Sequence, residues 1–149
     1  MGLWFFDTRV DIRVSHDEGD DGLSILESEA PWADSPPLHV HRTQDEAFHV
    51  LAGELRLVVG GEESSVGPGE TALAPKGVPH SYRVESREGA RWLVTTTGGD
   101  FERFVRRLSR PAEGDRLPEP AGPPAPEHAE ALARVAKEHG IELVGPPLA

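Results

Sequence analysis

Cysteine is absent from this 149-residue chain, which removes disulfides, thiolate nucleophiles and thiolate metal sites together. Any metal must therefore be held by imidazole nitrogen and carboxylate oxygen. Basic residues are scarce: 15 Lys and Arg stand against 26 Asp and Glu, for a formal net charge of -11, and no dense basic cluster compensates. Such a chain repels phosphate backbones and anionic lipid, so neither a nucleic-acid nor a membrane partner is expected. Long apolar runs are missing as well. The opening MGLWFFDTRVDIRV starts apolar but meets aspartate at once and offers no small-residue cleavage site, so a cytoplasmic location is expected.

What is present from Gly2 to about Thr97 is a succession of short apolar stretches broken by turn chemistry, with no sustained helical period. Leu55, Leu57 and Val59 alternate with Glu54, Arg56 and Val58, and Gly60-Gly61-Glu62-Glu63 supplies a hairpin turn. Further turns at Gly67-Pro68-Gly69, at Pro75-Lys76-Gly77 and near Arg87 to Gly89 space the strands as in a sandwich or closed barrel. The fold class read from this pattern is all-β.

The character changes at Gly98. Phe101, Phe104, Val105 and Leu108 recur at helical spacing, with Asp100 placed to cap the helix and Arg103, Arg106 and Arg107 on its wet face. The six prolines from Pro111 to Pro126 predict an extended connector. A second helix follows from Pro126, with Glu127 and Glu130 in its first turn, a narrow face of Leu132 and Val135, and Gly140 as its stop. The chain thus divides into a β domain over residues 1–110, including the short helix near 100–109, and a connector with a C-terminal helix over 111–149, packed on the barrel or on a partner.

The stretch PPLHVHRTQDEAFHVLAG, from Pro36 to Gly53, concentrates histidines and acids where strand chemistry disfavours them. Strand side chains alternate, so His39 and His41 share a face and can grip one ion. After a bend at Arg42 to Asp45, Glu46, Phe48 and Val50 form an inward stripe. His80 follows the Pro75-Lys76-Gly77 turn and leads a strand with Tyr82 and Val84 on the same face, so it can meet the others across a barrel. Three imidazoles and one carboxylate suit one divalent transition metal, whether Fe, Mn, Ni, Co, Cu or Zn, with coordination positions to spare. Asp45 is the weaker alternative to Glu46, since it points to the other strand face. His49 is read as exterior, and His16, His128 and His139 as surface residues. Phe48, Tyr82 and Trp92 are the candidates for the wall of a substrate pocket, Tyr82 first among them because it shares a face with His80.

These residues carry a resemblance. HVHRTQDEAFHVLAG resembles the first cupin motif, in which two histidines one residue apart are followed by glutamate and then glycine, here His39, His41, Glu46 and Gly53. GETALAPKGVPH resembles the second, with Gly69, Pro75, Gly77 and His80 at the matching intervals. The chain departs from the pattern at Ala33, where the first motif usually opens with glycine, and at Val84, where the second usually closes with asparagine. The resemblance covers roughly Gly2 to Leu108, and the tail ending HGIELVGPPL looks like small single-domain cupins of quercetin-dioxygenase-like type. It implies a double-stranded β-helix, or jelly-roll barrel, followed by the short helix and the C-terminal helix.

The function implied is a metal-dependent oxygenase, dioxygenase-like, acting on a small chelating organic substrate, with Glu46 able to take a proton. Two other classes share the ligand set: a non-oxidative isomerase, lyase or hydrolase, and a non-catalytic metallocupin that binds a small ligand as accessory to a biosynthetic pathway. A cupin transcription factor is disfavoured, since the chain adds no DNA-binding helix-turn-helix. The apolar GLWFF opening suits an exchanged strand, and the family implies a homodimer.

Overall fold

The structure, a computed structural model, describes residues 2–149. Ten strands precede the first helix: β1 (Gly2–Phe5), β2 (Thr8–Val14), β3 (Ser24–Ala30), β4 (His39–His41), β5 (Glu46–Ala52), β6 (Leu55–Val59), β7 (Glu62–Val66), β8 (Thr71–Ala74), β9 (His80–Val84) and β10 (Ala90–Thr96). They are followed by α1 (Asp100–Leu108), β11 (Arg110–Pro111), α2 (Pro126–Glu138) and β12 (Ile141–Leu143). A seven-stranded sheet runs β11-β1-β2-β3-β10-β5-β8, and a five-stranded sheet runs β12-β4-β9-β6-β7. The all-β class expected from the strand spacing, and the jelly-roll that the cupin resemblance implies, agree with the two antiparallel sheets observed.

Alternation decides which faces meet. β3 and β10 bury every second residue along their whole length, and β5 buries Glu46, Phe48 and Val50 while turning Ala47 and His49 outward. From the facing sheet, Leu55 and Leu57 of β6 and Val84 of β9 are fully covered and pack with Phe48, Val50, Trp92 and Val94 into the main core. Burying each large apolar side chain contributes about 2 kcal/mol, so this inter-sheet layer dominates the stability.

Two turns show why glycine stands where it does. Gly60 and Gly61 both have left-handed φ, at 59° and 82°, as a two-residue hairpin between β6 and β7 requires. Gly53 has φ 79°, and a Cβ there would collide with the carbonyl of Gly89. That close approach explains the glycine that ends the histidine-rich stretch.

The helices differ from expectation in detail. Asp100 does not cap α1; Gly99 occupies that position without a side-chain bond, and the Asp100 carboxylate instead accepts from Thr43 and Arg103. Pro126 opens α2 and Gly140, at φ 71°, follows its end. Phe104, Ala136 and Ile141 form a separate buried cluster with Leu132, Val135 and Leu143 around them. The narrow face of α2 thus seats on α1 and β12 of its own chain.

Two short strands were not legible in the sequence. β11 pairs with β1, Leu3 opposite Pro111, so the GLWFF opening lies inside its own sheet, between β2 and β11. β12 pairs antiparallel with β4, Ile141 opposite His41 and Leu143 opposite His39. The C-terminal segment therefore completes the sheet at the strand that carries two of the histidines.

Candidate metal centre

β4 and β9 lie antiparallel with His39 opposite His80, so two strands of one sheet bring three imidazoles to one end of the barrel. Glu46 opens β5 in the other sheet, paired with Thr96 of β10 and Ala74 of β8. The bend between β4 and β5 carries the chain from sheet to sheet. Its Asp45 points away from the cluster, as parity requires, and accepts from the Lys76 amide at 2.8 Å, while the Gly77 amide donates to the His41 carbonyl at 2.9 Å. These bonds fix the loop that delivers His80.

One donor atom from each of His39, His41, Glu46 and His80 lies within 4.8 Å of all the others. Two donors on one ion at about 2.1 Å each stand about 3.0 Å apart when adjacent and about 4.2 Å when opposite, so the group is close to coordination spacing. The carboxylate distances agree: Glu46 Oε2 is 2.8 Å from His41 Nε2 and 3.1 Å from His80 Nε2.

His41 is 2% exposed, yet neither ring nitrogen has hydrogen-bond geometry to any partner. A 2.8 Å contact without a hydrogen-bond angle is what results when two donors aim at a common point. His39 Nδ1 donates to the Pro37 carbonyl at 2.7 Å, and His80 Nδ1 faces the Val78 carbonyl at 3.4 Å. Tying Nδ1 to backbone oxygen turns Nε2 inward, the usual support of a metal-bound imidazole. The donor set therefore fits a divalent transition metal.

The electrostatics agree. Burial alone would push Glu46 up, but the charge and close contact of His41, together with the bond and charge of His80, hold it well below the usual carboxylate range. Burial also works against the charged form of His80, and the bond and charge of Glu46 outweigh it, so that imidazole sits above its ordinary value. His39 goes the other way: burial first, then the charges of His80 and His41, push it from 6.5 to about 4. A buried anion with a neutral imidazole beside it is ready for a cation.

A cavity of about 580 Å³ opens onto the cluster, lined by His39, His41, Glu46, Phe48 and Tyr82 among others. The Tyr82 hydroxyl is raised well above its ordinary value by burial, then by the charges of Asp34 and Glu46. Trp92 does not line the cavity; it is 1% exposed and meets the Tyr82 ring edge-on at 5.1 Å from behind. His49 faces outward and bonds Thr71, His16 and His139 contact Arg103 and Arg107, and His128 is exposed. The sequence reading missed much of the wall: Phe5 and Asp7, Asp34, Phe101, the connector from Pro120 to Pro124, and Ile141 and Leu143. Phe101 carried a signal, since its helical spacing marked it as covered, and it stands 5.6 Å from the His41 ring.

A family model described as "Cupin domain" matches residues 26–96, which hold all four donors. Residues 26–96 of the chain are a cupin domain. The chain is 32% identical over 94 residues to quercetin 2,3-dioxygenase of Bacillus subtilis, a match covering 63% of the chain and 28% of that protein; it thus spans little more than a quarter of its curated relative. Among solved structures, the polyketide cyclase RemF from Streptomyces resistomycificus is 29% identical, with a TM-score of 0.53 and coverage of 60% of this chain and 64% of that one. The protein TT1209 from Thermus thermophilus is 30% identical, with a TM-score of 0.50 and coverage of 59% and 84%.

Proposed function

We propose that this cupin is a metal-dependent oxygenase acting on a small organic substrate with a chelating oxygen pair, such as an enediol, a flavonol or a β-diketone. The observation that carries this reading is the buried His41 lining a 580 Å³ cavity, its Nδ1 without a hydrogen-bond partner among the described residues and its Nε2 2.8 Å from an anionic Glu46. The likeness to quercetin 2,3-dioxygenase supports the oxygenase class. His39, His41, Glu46 and His80 would hold one divalent ion. Such an ion supplies Lewis acidity and, where it is redox-active, a route to dioxygen.

The chain's own residues do the rest. Glu46 turns Oε2 to the two imidazoles, which leaves its second oxygen to accept a proton from an acidic substrate hydroxyl. Phe48, Tyr82 and Phe101 hold the substrate ring system and keep water from the reacting oxygens. The segment of residues 111–149 acts as an arm on the barrel of residues 1–110, placing Pro120 to Pro124 and Ile141 on the cavity wall.

A second reading has its own support: the likeness to a polyketide cyclase favours a non-oxidative reaction at the same centre. Metal analysis of the purified protein, followed by an oxygen-electrode screen against chelating diols and diketones, separates the two. Oxygen uptake that needs the bound metal and a chelating substrate supports the oxygenase. Product formation without oxygen uptake overturns it in favour of the cyclase-like class.

A further inference from the structure

Away from the four donors, the cavity wall carries polar groups that no ligand of a metal explains: Asp7, Thr8 and Asp34. Asp34 lies in the loop after β3. Its backbone is clamped to β9, the strand of His80, by the Ala33 amide donating to the Val84 carbonyl at 2.9 Å and the Val84 amide donating to the Asp34 carbonyl at 3.0 Å. Thr8, 7% exposed, reaches the Asp34 carboxylate with its hydroxyl at 3.5 Å. Asp7 is held from the other side by the Ala121 amide, which donates to its carboxylate at 3.1 Å. Both carboxylates are thus fixed in place by neutral groups.

Among the described residues, no basic side chain is paired with Asp34. Burial first, and then the charge of Asp7, raise its carboxyl from 3.8 to about 6 against the weak opposing bond from Thr8. A half-buried carboxylate kept beside a second one, without a cation, is an unfavourable arrangement for the fold alone. The cavity has the marks of a ligand site on separate ground: His41, 2% exposed, lines it, and among the described residues its Nδ1 has no hydrogen-bond partner and its Nε2 meets only the Glu46 carboxylate, off hydrogen-bond geometry. His80 opens β9 and Val84, whose amide bonds the Asp34 carbonyl, closes it, so about 13 Å of strand separates the backbone of Asp34 from that of His80. The two acids therefore approach one space from opposite ends of β9. At about 580 Å³ that space has room for the volume of about 20 waters, so a ligand seated on the cluster can extend well beyond its chelating end.

We propose that Asp34, supported by Thr8, determines the specificity of this cavity by receiving an ammonium or other hydrogen-bond donor on the end of the substrate remote from the metal. The preferred ligand pairs a chelating oxygen pair with a cationic or donor-bearing tail, and an anionic tail is rejected. The inference rests on the reading of His39, His41, Glu46 and His80 as the metal seat.

Three catechols test it, since they share the chelating end and differ in the tail: dopamine, 4-methylcatechol and 3,4-dihydroxyphenylacetate. Their binding to the full-length protein loaded with cobalt(II) is read from the visible absorption of the metal, at about pH 8, where Asp34 is ionised. About 0.5 M salt screens the general pull of the net negative charge on cations. Dopamine is expected to bind about tenfold more tightly than the carboxylate probe. Asp34→Asn should shrink that ratio to about twofold and leave 4-methylcatechol unchanged, while Asp34→Glu restores the preference and Asp20→Asn, on an exposed turn, leaves it intact. Equal binding of the three probes by the parent protein, or a preference that survives Asp34→Asn, overturns the proposal. Failure to take up cobalt, or loss of all catechol binding in the parent, overturns the metal seat instead and the specificity with it.

Discussion

Replacing Glu46 by glutamine keeps the shape of the side chain and removes the one anion in the cluster, so it isolates what the charge does. Glu46 is 3% exposed, and its Oε2 stands 2.8 and 3.1 Å from two imidazoles. A charge-assisted bond of this kind contributes about 1.5–3 kcal/mol, and the metal-free variant should lose about that much near pH 6. For a chain of this size that corresponds to a fall in Tm of roughly 3–10 °C. The sign of the pH dependence follows from the two shifts. The depressed Glu46 pKa gives stability that is present above its ordinary value of 4.5 and is lost as pH falls through the lower folded value. The raised His80 pKa gives stability that is present below 6.5 and is lost as pH rises through the higher folded value. His39, lowered to about 4, works the other way below 6.5, so the Glu46 contribution is read from the difference between parent and variant melts without metal: Glu46→Gln should cost most between pH 4.5 and 6.5 and less on either side. Isothermal titration with zinc or cobalt(II) supplies the second readout: losing the carboxylate should weaken binding by about 10- to 100-fold, the range seen when even outer partners of a metal are removed. Metal bound by the variant with parental stoichiometry and affinity, together with an unchanged pH profile, would refute the assignment of Glu46.

Saturating metal at about 100 times its dissociation constant should stabilise the parent by about 2.7 kcal/mol, raising Tm by roughly 5–10 °C; a chelator should reverse the shift and His41→Ala should abolish it. Glu102, with no exposed surface, accepts from Ser15, the His16 amide, Ser24 and Arg106, so Glu102→Ala should cost about 3 kcal/mol in urea unfolding, and an unchanged midpoint would show that α1 is not tied to β2 and β3 through this carboxylate. Ala33 has a left-handed φ of 71°, which costs a non-glycine residue roughly 1–2 kcal/mol; after the loss of chain entropy, Ala33→Gly should raise stability by about 0.5–1 kcal/mol, and a lower Tm would contradict it.

Ala33 also shows how far motif reading reaches. The motif pattern registers only that alanine stands where glycine is usual, and at Val84 that asparagine is missing. In the structure these two departures touch: the Ala33 amide donates to the Val84 carbonyl, and Val84 returns a bond to Asp34. The backbone keeps the conformation that glycine would favour, and the main-chain pairing holds it there. The clustering of His39, His41, Glu46 and His80 was legible because a period of two fixes which residues share a strand face, and because glycine and proline mark where the strands turn. The same parity placed Asp45 and His49 outside.

The closing wall of the cavity was not legible, for a physical reason. β11 and β12 comprise Arg110–Pro111 and Ile141–Leu143, too short for alternation to rise above composition. Whether three residues form a strand is decided by the edge they meet. β4 would otherwise present one flank of its backbone unpaired, and β12 supplies the partner by placing Ile141 against His41 and Leu143 against His39. α2 packs Ala136 with Phe104 and Ile141, which anchors the arm to α1 and holds β12 against that edge. The connector, rich in proline and lacking repetitive structure, then lies along the cavity and is held at Asp7 by the Ala121 amide. The candidate metal donors and the cover of their cavity are therefore joined through β4: a change that loosens β12 from β4 would disturb the orientation of His39 and His41 as well as the cavity wall, although none of its residues contributes a donor to the cluster.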